Sequence, residues 1–200
     1  MTNVLVICFD GYSKFYERFE QSVKAQTVKP ENVYLVLGKG HGFKRIPTYP
    51  TIIQSKRKTL GGMVSDGIKR IKGRTLYFSI DDILLGNAIE EIEKVDADIV
   101  SLKYFSPKGV KETPEIKKER IKDWEKYYIG ASGYFTINGG EKVDRSDFWK
   151  YEYLFRNHDK TIKPTENPCA VYLKRNDGHG SGRNFKKGRQ SISKFAEIYG

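Results

Sequence analysis

The sequence predicts an α/β protein in which helices cover both faces of a mostly parallel central sheet, a three-layer α/β/α architecture. Apolar runs at residues 4–9, 33–37 and 75–80 are short and almost unbroken, which is typical of strands buried on both faces. Segments with apolar residues at helical spacing separate these runs. Because strand, helix and strand alternate in this order, the first half is predicted to consist of βαβ units.

The predicted elements follow one another with short connections. The first helix begins at Ser13, its expected N-cap, and ends before Lys29 and Pro30. The second strand stops at Gly38, where a glycine-rich loop begins. The later elements are, in chain order, strand 52–53, helix 60–71, strand 75–80, helix 86–95, strand 98–105, a charged helical excursion at 111–126, strand 133–137, helix 147–157, strand 170–173 and helix 192–198.

Composition limits the class of protein. Two hundred residues correspond to a single domain, and 38% hydrophobic with 13% aromatic residues support a core, which excludes a wholly disordered chain. The two cysteines, Cys8 and Cys169, favour a reducing compartment over a disulfide framework, so the expected localisation is cytoplasmic. No run of about 18 apolar residues is present, so no transmembrane segment is predicted.

The charge predicts an anionic partner. Lys and Arg number 36 against 25 Asp and Glu, a formal net charge of +11, which favours polyanions or phosphorylated small molecules. The basic residues are concentrated in residues 174–189, where six Lys or Arg accompany one acid, Asp177, and four glycines. This segment is expected to be mobile; the alternative is a solvated tail.

The candidate site lies where the parallel strands end. Ligands of open α/β sheets bind outside the carboxyl ends of the strands, which here correspond to residues 10–12, residues 38–41, and Asp81 with Asp82. Adjacent carboxylates after a buried strand need solvent, hydrogen bonds or a cation, and their hard oxygens suit Mg²⁺ or Mn²⁺. The alternative is that one of the two aspartates caps the helix that begins near Leu85.

Three sequence segments resemble the family 2 glycosyltransferases of GT-A fold, nucleotide-diphospho-sugar transferases with a Rossmann-like sheet. The apolar strand at 4–7 is followed by the motif Ser22-Val-x-Ala-Gln-Thr27, the most specific of the three. Residues 76–87, with Asp81-Asp82 after an apolar strand, are similar to the family's Asp-x-Asp metal motif. The resemblance covers about residues 4–105 and is thinner afterwards.

This resemblance implies one domain over residues 1–200, with a nucleotide-sugar-binding half at about 1–105 and an acceptor half at about 106–200. The implied reaction moves a sugar from a nucleoside diphosphate sugar to the hydroxyl of a glycan, lipid or protein, with Mn²⁺ or Mg²⁺ bridging the diphosphate. The implied metal ligands are Asp81 and Asp82, with Asp82 preferred, and His179.

The remaining site residues follow from the same resemblance. Asp10 is expected to hydrogen-bond the ribose or base, while a turn-forming Asp-Gly is the alternative. Lys58 and Arg183 are expected at the phosphates, where the alternative is an ordinary surface charge. Asp147 is similar to the family's general base, which implies an inverting transferase; Asp144 is its competitor, and an N-cap is the alternative role.

The sequence also departs from the family pattern. The Asp expected two positions before the metal Asp is replaced by Ser79 or Ile80, depending on register, and residues 38–40 stand where the family has an acidic pair. Two other functions therefore remain open. One is a nucleic-acid-binding protein, favoured by the charge and by Lys interleaved with Tyr at 126–128 and 150–153. The other is a catalytically inactive module that binds sugars or proteins.

Overall fold

The computed structural model describes residues 1–106, 109–111, 134–145, 149–157 and 159–173. The predicted helix at 192–198 and, apart from Lys111, the predicted excursion at 111–126 lie outside these residues. No helix in the described part of the chain has the length and apolar content needed to cross a membrane.

The described elements confirm the alternation predicted from the sequence. They are β1 (Asn3–Cys8), a 3₁₀ turn (Tyr12–Phe15), α1 (Tyr16–Lys24), β2 (Val33–Leu37), β3 (Thr51–Gln54), α2 (Leu60–Ile68), β4 (Arg74–Phe78), β5 (Ile83–Leu84), α3 (Ala88–Lys94), β6 (Ile99–Ser106), β7 (Gly109–Lys111), β8 (Phe135–Asn138), α4 (Trp149–Arg156) and β9 (Ile162–Val171). The short strands β5 and β7 were not predicted, nor was the first part of β9, residues 162–169.

The sheet is mixed, so the prediction of a mostly parallel sheet is confirmed only in part. Among the described residues the strand order is β3-β2-β1-β4-β8-β6-β9-β5, with β7 paired to β6. The pairs β1·β2, β1·β4, β2·β3 and β6·β9 are parallel, whereas β4·β8, β6·β8, β6·β7 and β5·β9 are antiparallel. Parallel strands need a long crossover connection, which residues 38–50 supply between β2 and β3 without a helix, whereas the two-residue link between β6 and β7 allows only a hairpin.

The sheet is covered by helices on both faces, as predicted. Every residue of β1 is buried, and its side chains alternate between two apolar clusters. One cluster joins β1 to α1 and α3, for example through Phe19 and Ile89. The other joins β1 to α2 and α4, for example through Met63 and Trp149. This two-sided burial explains why the strand sequence is an unbroken apolar run.

The motif Ser22 to Thr27 fastens the end of α1 to the start of α3. The buried Gln26 side chain donates from Nε2 to the Leu85 carbonyl at 2.7 Å, and its Oε1 accepts from the Ile89 amide at 3.1 Å. The Thr27 amide donates to the Gly86 carbonyl at 2.8 Å. Gln26 thus satisfies a backbone donor that α3 itself leaves without a partner, since Asn87, the N-cap residue, makes no side-chain capping bond.

We expect Gln26→Met to lower the free energy of unfolding by about 2–4 kcal/mol, because it leaves the Leu85 carbonyl and the Ile89 amide buried without this partner. Gln21→Met is the matched control, since Gln21 lies exposed on the same helix and should change stability by less than about 0.5 kcal/mol. Urea unfolding followed by circular dichroism measures both. Equal effects of the two substitutions would contradict the role given to Gln26.

Candidate functional site

The loops that follow β1 and β2 run side by side at the carboxyl edge of the sheet. The Asp10 amide donates to the Lys39 carbonyl at 3.3 Å, and the Gly11 amide to the Gly40 carbonyl at 2.6 Å. Asp10 is exposed and has a φ of 45°, a left-handed conformation that Asp tolerates in turns. Asp10 therefore lies at the predicted edge of the sheet. Asp10 and Gly11 also form a turn, the role given above as the alternative to a contact with ribose or base.

Aromatic side chains lie directly beside this turn. The rings of Phe9 and Tyr12 stack with their centroids 5.3 Å apart and their planes within 8° of parallel. Tyr12 also meets Phe15 edge to face at 5.4 Å. Because Phe9 and Tyr12 are only partly buried, the loop after β1 presents a flat aromatic surface next to Asp10.

Asp82 is a buried carboxylate with both oxygens engaged by the protein. Asp82 follows Phe78, the last residue of β4, by four residues, and only 4% of its surface is exposed. Oδ2 accepts a hydrogen bond from the Tyr134 hydroxyl at 2.5 Å, and Oδ1 accepts one from the Leu173 amide at 2.8 Å. Asp82 therefore joins the turn after β4 to Tyr134, directly before β8, and to Leu173, two residues after β9.

Lys150 supplies a cation next to the acidic pair. Its Nζ lies 4.9 Å from the centroid of the Tyr77 ring and 5.9 Å from that of the Trp149 ring, and its charge acts on both Asp82 and Asp81. Burial lowers the pKa of Lys150 to about 8, although the two carboxylates oppose that shift. Burial likewise raises the pKa of Asp82 to about 6, against the hydrogen bond from Tyr134. At neutral pH Asp82 and Lys150 are therefore both mainly charged.

Asp81 differs from Asp82 in exposure. Its side chain is partly exposed, and its backbone carbonyl accepts a hydrogen bond from the Arg18 guanidinium of α1. Neither aspartate caps a helix, because α3 begins at Ala88 with Asn87 as its N-cap residue. The two neighbouring carboxylates thus have separate environments, one fixed inside the protein and one reaching toward solvent.

The other residues predicted for the site divide into two groups. Lys58 is exposed and directly precedes Thr59, whose side chain caps α2 by accepting from the Gly62 amide at 3.2 Å. Asp144 is partly exposed in the segment that precedes α4. Asp147, His179 and Arg183 lie outside the described residues.

The residues flanking Asp147 are described on both sides. The Arg145 carbonyl accepts a hydrogen bond from the Thr59 hydroxyl at the start of α2. Trp149 is fully buried, and its ring meets that of Tyr77 edge to face at 4.8 Å. Lys150 follows in the same helix, so the start of α4 is held against β4.

Sequence analysis missed Tyr134, Lys150 and Arg18. Lys150 could have been predicted from the sequence, because it lies three residues after Asp147, about one turn along the predicted helix 147–157. Tyr134 and Arg18 had none, since their partners Asp82 and Asp81 are distant in sequence. In the described part of the chain, no three His, Cys, Asp or Glu side chains come together as a metal-binding group.

No protein-family model matches the sequence, and no curated protein sequence matches it significantly. Solved structures do share its fold. The structure of residues 1–349 of TarS from S. aureus in complex with UDP-GlcNAc superposes with a TM-score of 0.69 at 12% identity, covering 99% of this chain and 66% of that one. The present chain therefore spans about two thirds of the length of the TarS structure.

Glucosyl-3-phosphoglycerate synthase from Mycobacterium tuberculosis has a similar fold. Its complex with Mn²⁺, UDP and phosphoglyceric acid gives a TM-score of 0.65 at 9% identity, over 96% of this chain and 78% of that one. Its complex with Mg²⁺ and UDP gives 0.62 at 9% identity, over 96% and 79%. At these identities the likeness is one of fold, and it confirms the predicted GT-A fold.

The pKa of Asp82 predicts a pH-dependent stability. Because about 6 in the native protein exceeds the ordinary 3.8, native Asp82 holds its proton more tightly than the unfolded chain does. Ionisation of Asp82 therefore costs stability as pH rises from about 4 to 6, by about 3 kcal/mol at most. We expect Asp82→Asn to gain stability relative to the wild type over this pH interval.

Urea unfolding at a series of pH values measures this difference. Asp96→Asn is the control, because it makes the same substitution at an exposed position. A constant difference between Asp82→Asn and the wild type from pH 4 to 6.5 would show that Asp82 does not titrate in this range.

Proposed function

We propose that the protein is a metal-dependent glycosyltransferase that moves a sugar from a nucleoside diphosphate sugar to an acceptor hydroxyl with inversion of the anomeric configuration. The acidic pair at the end of β4 carries this proposal, since it combines a buried, fixed carboxylate with a partly exposed one at the carboxyl edge of a GT-A sheet. The complexes of similar fold with UDP-GlcNAc, and with UDP and Mn²⁺ or Mg²⁺, support it.

The chemistry of the acidic pair fits a divalent ion held in part by substrate. Mg²⁺ and Mn²⁺ sites at nucleotides commonly use one or two carboxylates and complete their shell with phosphate oxygens and water. We assign Asp81 as the principal ligand in place of Asp82, because both oxygens of Asp82 already accept hydrogen bonds from Tyr134 and Leu173. When bound, the ion supplies positive charge that offsets the charge developing on the departing diphosphate.

Residues of the chain itself would orient the donor. Arg18 holds the backbone of Asp81, which limits the positions open to its carboxylate. The stacked rings of Phe9 and Tyr12 offer a flat surface suited to a nucleobase, with Asp10 beside them for a ribose hydroxyl. Lys58 remains our candidate for a phosphate contact.

Asp147 is proposed as the general base. It would accept the proton of the acceptor hydroxyl while the hydroxyl oxygen forms a bond to the anomeric carbon and the bond from that carbon to the diphosphate breaks. Its described neighbours support this role: Arg145 is bound to Thr59, and Lys150 lies against Tyr77 with its charge acting on the acidic pair.

Residues 174–189 are proposed to close over the diphosphate. The Leu173 amide donates to Asp82, so the chain reaches the acidic pair one residue before this basic segment begins. His179 would then complete the metal shell, and Arg183 would contact a phosphate. Closure would exclude water, which could otherwise hydrolyse the donor.

Asp81→Asn should weaken Mn²⁺-dependent binding of UDP at least about tenfold, because the substitution removes the proposed ligand charge while keeping the side-chain shape. Isothermal titration calorimetry of UDP with and without Mn²⁺ measures the loss, and Asp96→Asn serves as an exposed control. Unchanged affinity in Asp81→Asn, with loss in Asp82→Asn, would return the ligand role to Asp82. Unchanged affinity in both variants would remove the acidic pair from the site.

Asp147→Asn should lower turnover about 100-fold or more and leave UDP affinity within about twofold, since a positioned base acts mainly in the transition state. Asp144→Asn is the matched comparison, because it makes the same change at the competing position. Turnover is measured with a UDP-sugar that the protein hydrolyses or transfers. A large loss in Asp144→Asn alone would make Asp144 the base, and a product of retained configuration would contradict inversion.

A further inference from the structure

A row of apolar side chains crosses four strands on one face of the sheet. Phe105 of β6 is paired with Val110 of β7 and with Val171 of β9, and Val171 is in turn paired with Ile83 of β5. Residues paired in this way carry their side chains on the same face of a sheet. We call Val110, Phe105, Val171 and Ile83 the apolar row. At about 4.8 Å per strand, the row is about 14 Å long.

The apolar row faces away from the core. Val110 is 51% exposed and Phe105 44%, and the other two members of the row are partly exposed. Neither apolar cluster of the described residues includes any of the four. The residues next to them in the strands, which point to the opposite face, are buried: Tyr104, Ala170 and Leu84. The exposure therefore belongs to one face of the sheet and does not come from fraying of the strand ends.

Apolar residues at these positions need a physical explanation. Where one face of a sheet is solvated, the strand residues on that face are normally polar, because exposed apolar surface is unfavourable in water. Single exposed apolar residues are common on protein surfaces, but a contiguous exposed patch marks a place where another molecule binds. The alignment of four apolar residues across four strands is a patch of this kind.

One end of the apolar row adjoins the acidic pair. Ile83 directly follows Asp82 in the chain. Val171 precedes Leu173 by two residues, and the Leu173 amide donates to Asp82 Oδ1 at 2.8 Å. Phe105 and Val171 lie at or next to the carboxyl ends of their strands, which run parallel to each other. A molecule that lies along the row therefore reaches the acidic pair with one end.

The row lies on the side of the acidic pair that the proposed donor leaves open. The nucleobase is assigned to the stacked rings of Phe9 and Tyr12, beside Asp10 in the loop after β1. In the sheet order, β1 and β2 are on one side of β4, and the strands of the apolar row are on the other. The row is therefore placed for the acceptor.

The dimensions and chemistry of the row decide what it can bind. Lys103 carries its side chain on the same face two positions before Phe105, and its Nζ donates to the Glu166 carbonyl at 3.2 Å, so a charged group borders the row. A stable interface between two proteins takes about 20 residues from each chain, far more than this row provides for a second copy. Three of the four side chains are branched and aliphatic and offer no hydrogen bonds to a sugar. A stripe one residue wide fits a single hydrocarbon chain.

We infer that the apolar row binds the hydrocarbon chain of a lipid acceptor, whose hydroxyl-bearing head lies at the acidic pair. This inference rests on the proposed function, because it names the acceptor class for the same site. The chain gains free energy by leaving water for the row, while the head remains at the polar end of the site. Binding of the chain would thus hold the acceptor hydroxyl near the donor sugar.

The test replaces apolar groups by hydroxyls of similar shape in the full chain. The row variant is Ile83→Thr with Val110→Thr. The control variant is Ile46→Thr with Val28→Thr, the same two substitutions at residues outside the row that are 42% and 40% exposed. Threonine is favourable in strands, and circular dichroism checks that both variants fold.

Ligand-observed NMR titrations with methyl, hexyl and octyl β-glucoside, below the micelle concentration of the octyl compound, measure binding. We expect the affinity of the wild type to rise about threefold for each methylene that the row buries. The row variant should lose about fivefold or more in affinity for octyl glucoside, while the control variant stays within about twofold of the wild type. Equal affinity of the wild type for methyl and octyl glucoside would overturn the inference, as would equal losses in the two variants.

Two further measurements distinguish the other outcomes. In sedimentation experiments, a wild-type dimer that the row variant dissociates would assign the row to a second copy of the chain and overturn the lipid. Titration of UDP with Mn²⁺ tests the donor site, and the row variant should bind UDP within about twofold of the wild type. If the wild type failed to bind UDP, the proposed function would fail, whereas the alkyl glucosides would still decide whether the row binds hydrocarbon.

Discussion

Burial of the Asp82 carboxylate is the constraint on which the functional edge depends. An ionised group with 4% exposure is tolerated only if its charge is compensated, and here Tyr134, the Leu173 amide and Lys150 share that task. These partners come from three separate places in the chain. Satisfying one carboxylate therefore brings the starts of β8 and α4 and the end of β9 to the end of β4.

Helix α1 supports the same edge from the other side. Arg18 binds the backbone of Asp81, and Gln26, two helical turns later, binds the loop that leads into α3. The turn that carries the acidic pair is thus held at both ends by one helix. This arrangement gives a physical reason for the motif Ser22 to Thr27, since a buried amide at position 26 must both donate and accept within the same loop.

The two halves of the chain differ in how far their sequence predicts their structure. In the first half, unbroken apolar runs separated by helices predict parallel strands, and β1 does pair in parallel with β2 and β4. In the second half, β8 enters antiparallel between β4 and β6, and β9 lies parallel to β6. An apolar run does not show whether its strand pairs parallel or antiparallel, because the same residues are buried in either orientation.

The sequence by itself determined the α/β class, the boundaries of the early elements to within a few residues, and the position of Asp81 and Asp82 at a strand end. These features follow from short-range patterns: apolar periodicity, glycine-terminated strands and a local motif. Only the tertiary structure decided which carboxylate is buried and which is partly exposed, and only it placed Lys150 and Tyr134 beside them. Those outcomes depend on contacts between residues more than 50 positions apart, as between Asp82 and Tyr134, whose burial together fixes the charge state of each group.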